Sequence, residues 1–153
     1  MDLRDSRSEA RTRAEGLAVV AAGLVFSVAA GSLVVVVIGL AAVALHELLH
    51  LAGWLICTRR WPDWFVGRAG IGMAGRGQVS ARQATWILAL PLPLLPLAAG
   101  LTLASSGGLA WGFGWAFLGL ALGSSSDLHL LGKISRIPAS TRLVDSRQGF
   151  TVA

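Results

Sequence analysis

Residues 33–57 read LVVVVIGLAAVALHELLHLAGWLIC, and this stretch decides the fold. A helix needs about 20 apolar residues to cross the hydrocarbon core of a bilayer, and this run is long enough. Yet Ala44-Leu45-His46-Glu47-Leu48-Leu49-His50 sets three ionisable side chains inside it. Such groups are costly at membrane depth unless they face a cavity or bind something. On a helix, positions i and i+4 share one face, so His46 and His50 can turn an imidazole nitrogen toward one metal ion. Glu47 follows the first histidine, where its carboxylate can reach a water on that metal. HExxH is the spacing of a zinc site with the glutamate as general base. The competing reading is a polar cluster between helices, or the remains of a site that no longer binds metal.

Composition supports the membrane setting. The chain has 153 residues, enough for one domain; 54% are hydrophobic and 14% charged, against about 25% charged in a soluble domain. The net charge of +5 raises nucleic acid as a partner, but the basic residues fall at the ends of apolar spans. There they set topology and touch the anionic lipid of the bilayer, so no nucleic-acid partner is expected. One cysteine, Cys57, excludes an internal disulfide and is too little for a thiolate metal site. It reads as a small apolar residue near a helix end.

The expected fold is an all-α membrane protein of about four transmembrane helices. From Leu17 to Leu45 no side chain ionises, and the apolar character continues to Ile56. That is twice the length of one span. Gly31-Ser32 is the best place for a reversal, because glycine permits turn dihedrals. Span one is therefore placed at 16–31 and span two at 33–57, with residues 1–15 as a polar tail or short surface helix. Val28-Ala29-Ala30 also resembles a signal cleavage site, a less favoured reading. Residues 58–85 form a loop rich in glycine, with Trp64-Phe65-Val66 and Ile71-Gly72-Met73 as candidate strands of a short β-hairpin. Ser80 with Gln83 fits a capping box, so a helix starts near Ala81. Span three, 81–104, carries Pro91, Pro93 and Pro96, which cannot sit in an undisturbed helix. Broken backbone at membrane depth is tolerated where it is buried in protein or lines a cavity, so Leu90 to Pro96 is expected beside the site. Ser105-Ser106-Gly107-Gly108 marks the next turn, and span four is placed at 109–131. In the tail 132–153, Leu143-Val144 and Phe150-Thr151-Val152 are candidate strands. All 13 Lys and Arg residues lie in the N-terminal tail, the 58–85 loop and the C-terminal tail. By the positive-inside rule these three segments, both termini included, are cytoplasmic, which makes the chain a multi-pass protein of the cell membrane.

A catalytic zinc takes three protein ligands and keeps a position for water. Glu47 is the last glutamate, so the candidates after His50 are Asp63, Asp127, His129 and Asp145. His50 lies nine residues before Arg59, and Asp127 six before Lys133. At helical rise these are depths of about 13 and 9 Å, close to each other on two different spans. Asp127 is the preferred third ligand. His129 and Asp63 remain alternatives, and His129 could instead support a ligand or a substrate proton. Ser124, Ser125 and Ser126 make the approach to Asp127 polar, unless they bond backbone carbonyls one turn back.

With these anchors the chain resembles the zincin peptidases, small multi-pass membrane proteins that are themselves similar to site-two proteases. The anchors are His46-Glu47-Leu48-Leu49-His50-Leu51-Ala52-Gly53, Ala89-Leu90-Pro91, and Gly123-Ser124-Ser125-Ser126-Asp127-Leu128. The resemblance implies His46, His50 and Asp127 as zinc ligands and Glu47 as the base. It departs at the third anchor, where site-two proteases usually have an Asn-Pro-x-Asp-Gly motif and this chain has Ser-Ser-Ser-Asp-Leu. The expected function is membrane-embedded zinc metalloproteolysis, on a peptide or membrane-protein substrate. The alternatives are a zinc-binding membrane scaffold or regulator without peptidase activity, and an ion-handling protein. The lack of an internal repeat weighs against the last.

Overall fold

The computed structural model describes residues 2–4, 9–67, 70–75, 77–146 and 149–153. Among these are five helices: α1 (Glu9–Ala30), α2 (Val34–Thr58), α3 (Ala81–Ala89), α4 (Leu94–Ala104) and α5 (Gly107–Ile134). α3 and α4 continue one another across a short turn, so the helices form four rods. The strands are β1 (Asp2–Arg4), β2 (Asp63–Gly67), β3 (Gly70–Ala74), β4 (Gln78–Ser80), β5 (Arg142–Ser146) and β6 (Gly149–Val152).

The rods meet the sequence expectation at their ends for identifiable reasons. α1 closes in a Schellman motif. Gly31 adopts φ +58°, its N–H donates to the Val28 carbonyl (3.1 Å), and the Ser32 N–H donates to Ser27 (3.2 Å). A left-handed glycine with this pair of bonds satisfies the last carbonyls of a helix. The Ser32 hydroxyl then accepts from the Val34 N–H at 3.2 Å and opens α2. α2 ends at Arg59, whose left-handed backbone (φ 54°) returns its N–H to Leu55. α3 opens on the expected capping box: the Ser80 hydroxyl accepts from the Gln83 N–H (3.2 Å), and the Gln83 side chain accepts from the Ser80 N–H (2.9 Å). Gln83 also donates from Nε2 to the Cys57 carbonyl (3.0 Å), tying the start of α3 to the end of α2. The prolines break the third rod between Ala89 and Leu94. Pro96 falls in the first turn of α4, where a missing N–H costs nothing.

The structure sharpens two expectations and corrects a third. α1 begins at Glu9, so the polar residues 9–15 are helical and run on into the apolar part, residues 17–30. All four expected rods are present, and two of them, Val34–Thr58 and Ala81–Ala104, are long and apolar enough to cross a membrane by length and composition. α5 is the longest helix, but its glycines and serines dilute its hydropathy. Finally, the chain is not all-α. The β2–β3 hairpin is present, pairing Trp64 with Met73 and Val66 with Ile71. In addition, β1, β6, β5 and β4 form a four-stranded antiparallel sheet in that order. It joins the N-terminal tail, the end of the glycine-rich loop and the C-terminal tail, so the three basic segments meet at one end of the helices.

Packing radiates from α5, which touches each of the other four helices. It runs parallel to α2, and glycines on its α2-facing side let the two backbones approach: Gly112 lies against Ile38, Gly119 against Val43 and Gly123 against His46. Small residues at such spacing are the means by which apolar helices come close. The densest core lies at the sheet end, where Trp54, Ile87, Leu88, Leu130 and Ile134 meet Val79, Leu143 and Phe150. Away from it, large apolar side chains stand uncovered, with Val28 82% and Leu103 89% exposed.

Candidate metal centre

α2 presents His46 and His50 from successive turns, and α5 brings Asp127 to them. Asp127 Oδ2 lies 3.3 Å from His46 Nε2 and 3.3 Å from His50 Nε2. The imidazole rings sit edge to face, 4.8 Å apart. Potential ligand atoms of all three residues lie within 4.8 Å of one another. His46 and Asp127 are buried and His50 nearly so. The group can hold a metal ion. Ligands at the zinc–nitrogen and zinc–oxygen distances of about 2.0–2.2 Å stand about 3.4 Å apart along a tetrahedral edge, close to the observed 3.3 Å.

The hydrogen bonding around His50 tests the fit independently. Its Nδ1 lies 2.9 Å from the carbonyl of Ile87 in α3. A carbonyl only accepts, so Nδ1 carries the proton. A neutral imidazole has one N–H, and Nε2 then offers only a lone pair toward a carboxylate oxygen that also only accepts. Either a second ring proton or a metal ion between them relieves this contact. A proton on His50, with His46 carrying its own on Nε2, makes a hydrogen-bonded triad, and a metal ion in their place would be held by both imidazoles and the carboxylate at once. His46 Nδ1 is buried without a hydrogen-bond partner, as is Ser124 Oγ.

The other expected residues fall as follows. Glu47 is half-buried on α2, next to His46. His129 is exposed, two residues past Asp127 and therefore turned away on the helix, and it is not in the group. Asp63 is exposed at the start of β2 and is also outside the group. Asp145 Oδ2 accepts from the Gly75 N–H at 2.7 Å, which anchors the glycine-rich loop to β5. Ser125 and Ser126 bond back to the carbonyls of Leu122 (2.6 Å) and Gly123 (3.0 Å); Ser124, fully buried, does not. A Cβ at Gly123 would stand 4.0 Å from His46 Nε2, so the absence of a side chain there leaves space beside a ligand atom. From the third rod the His50 ring is reached by the Ile87 carbonyl, ahead of the expected segment Leu90 to Pro96, of which Leu90 packs near Gly53 on α2. The Ile87 carbonyl belongs to no motif and was not foreseen, because a backbone group carries no side-chain identity to read.

The site thus defines a buried His₂Asp cluster shared by two parallel helices. None of the family models, curated proteins or solved structures compared with the chain matches it. The resemblance to zincin peptidases therefore rests on the sequence anchors alone.

Proposed function

We propose that this chain is a membrane-embedded zinc metalloprotease that hydrolyses a peptide bond in a transmembrane or juxtamembrane segment. The observation that carries the reading is the convergence of Asp127 from α5 on His46 and His50 of α2, the helix whose HExxH motif also supplies Glu47. Two imidazoles and a carboxylate suit zinc, and three ligands leave a position for water. The bilayer setting is supported by what the helices leave uncovered. Only 17% of the apolar window of α2 and 22% of that of Ala81–Ala104 is buried, whereas a core helix of a soluble domain would be mostly covered. Apolar patches of this extent call for lipid or a partner. The three basic segments at the sheet end point to the cytoplasmic side, with both termini there in the cell membrane.

Zinc bound in this site would polarise the scissile carbonyl and lower the pKa of a water toward ~7. Glu47, one residue from His46, would serve as the general base for the attacking water and return its proton to the leaving amine. His46, His50 and Asp127 would hold the ion between α2 and α5. Apolar clefts of about 310 and 270 Å³ flank α2, the first with Leu40, Val43 and Trp115 in its walls, the second with Leu45, Leu97 and Leu120.

The test is cleavage of membrane-protein fragments by purified wild type and Glu47→Gln, with zinc measured in both. Both should hold one zinc per chain, and Glu47→Gln should cut about 10²–10⁴-fold more slowly. Cutting by Glu47→Gln at the wild-type rate would show that Glu47 is not the base. A partner held equally by both and never cut would leave a zinc-binding scaffold.

A further inference from the structure

We propose that Pro91 is a positioning residue for the metal centre: lacking an N–H, it leaves the Ile87 carbonyl free to take the Nδ1 proton of His50, which fixes the ring nitrogen that faces the metal. The inference rests on the zinc reading above.

In an α-helix the carbonyl of residue 87 accepts from the N–H of residue 91. Residue 91 is proline, so that partner is missing. The carbonyl is not left orphaned, because His50 reaches across from α2 to occupy it at 2.9 Å. Ile87 is buried at this contact, where an unsatisfied carbonyl would be costly. The other two prolines of the rod behave differently. Pro93 deprives Ala89 of its helical donor, but the Leu92 N–H takes that carbonyl at 3.1 Å. Pro96 has no N–H to offer Leu92, which lies ahead of α4, and the Leu95 N–H takes that carbonyl at 3.1 Å. The Trp86 carbonyl, on the preceding residue, is taken by the Leu90 N–H, also at 3.1 Å. The turn thus closes its own bonds around Ala89 and Leu92, while the carbonyl freed by Pro91 accepts from another helix. Pro91 is itself fully buried, as expected of a residue that serves the interior.

The consequence for the site is orientational. A metal-bound histidine holds its tautomer and ring plane through the partner of its other nitrogen. With Nδ1–H committed to Ile87, His50 keeps its Nε2 lone pair directed at the point where His46 and Asp127 converge. An alanine at position 91 restores an N–H four residues after Ile87, and that N–H competes with the imidazole for the same carbonyl.

The experiment measures zinc affinity and the His50 ring proton in the full chain in detergent. Three proteins are compared: wild type, Pro91→Ala, and a protein carrying lactic acid at position 91. Lactic acid has neither the proline ring nor an N–H, so it separates the missing donor from the kink. Histidine ¹⁵N labelling follows the Nδ1 proton in the metal-free and zinc-loaded forms. Pro91→Ala should bind zinc about 10–100-fold more weakly, the usual effect of losing the outer partner of a ligand. Its His50 Nδ1 proton should exchange faster and shift upfield. The lactic acid protein should retain wild-type affinity and the wild-type resonance. Unchanged affinity in Pro91→Ala, or an equal loss in the lactic acid protein, would overturn the proposal. Wild type that binds no zinc would overturn the metal reading, while the proton resonance of the metal-free proteins would still decide the role of Pro91.

Discussion

Zinc should stabilise the fold through Asp127, and the replacement Asp127→Asn isolates that effect. His46 and His50 sit one turn apart on α2, so their spacing survives wherever α2 stays helical, including a state in which the helices have separated. Asp127 is 77 residues from His50 in sequence and joins the pair only when α5 packs on α2. Ligands present in both states contribute little to stability; the ligand present only in the packed state contributes most. A ligand at 1,000 times its Kd that binds only the native state adds about 4.1 kcal/mol. In a chain of this size 1 kcal/mol moves Tm by about 2–4 °C, so removing zinc from wild type should lower Tm by roughly 8–16 °C. In Asp127→Asn the shift should fall below about 4 °C, the equivalent of 1 kcal/mol. The assay is thermal unfolding in detergent, with zinc or with a chelator, beside metal content per chain. A zinc-dependent shift of wild-type size in Asp127→Asn would refute the reasoning. So would stoichiometric zinc in wild type with no shift at all, because the ion would then not link the two helices.

His129→Ala should leave zinc content unchanged, since the side chain is exposed and turned away from Asp127; loss of the metal on elemental analysis would restore it as a ligand. Ser80→Ala removes one hydroxyl cap and should cost about 1 kcal/mol in the unfolding assay. Gln83→Ala should cost more, because it also breaks the bond to the Cys57 carbonyl; equal losses would show that this tie is without effect. Gly31→Ala forces a side chain into left-handed backbone at about 1–2 kcal/mol, so Tm should fall while zinc per chain, measured beside it, stays at the wild-type value.

Much of the local architecture was legible because it depends on neighbours in sequence. The reversal at Gly31-Ser32, the capping box at Ser80 and Gln83, the break at the prolines and the strands at 64–66, 71–73, 143–144 and 150–152 all follow from local backbone chemistry. The candidate site was legible for a related reason. HExxH puts both histidines on one helical face whatever surrounds the helix, and the depth of Asp127 along its own rod can be counted from the basic residues. Between a tail and a short surface helix for residues 1–15 the sequence did not choose, because the polar stretch has no apolar periodicity to mark a helical start.

Long-range pairing is what the sequence left open and the tertiary structure decided. Nothing in Asp2–Arg4 or Gln78–Ser80 says that these short pieces join the C-terminal strands in one sheet, because each is too short to carry a pattern of its own. The choice among Asp127, His129 and Asp63 depended on which face of α5 meets α2. The glycines at 112, 119 and 123 set that face by allowing close approach, so Asp127 turns inward and His129 outward. The Ile87 carbonyl became part of the site only once α3 lay against His50. The sequence by itself determined which side chains could bind a metal, since ligand chemistry and helical spacing are local; the packing of α5 and α3 on α2 decided which groups meet there, since that depends on backbones distant in the chain coming close.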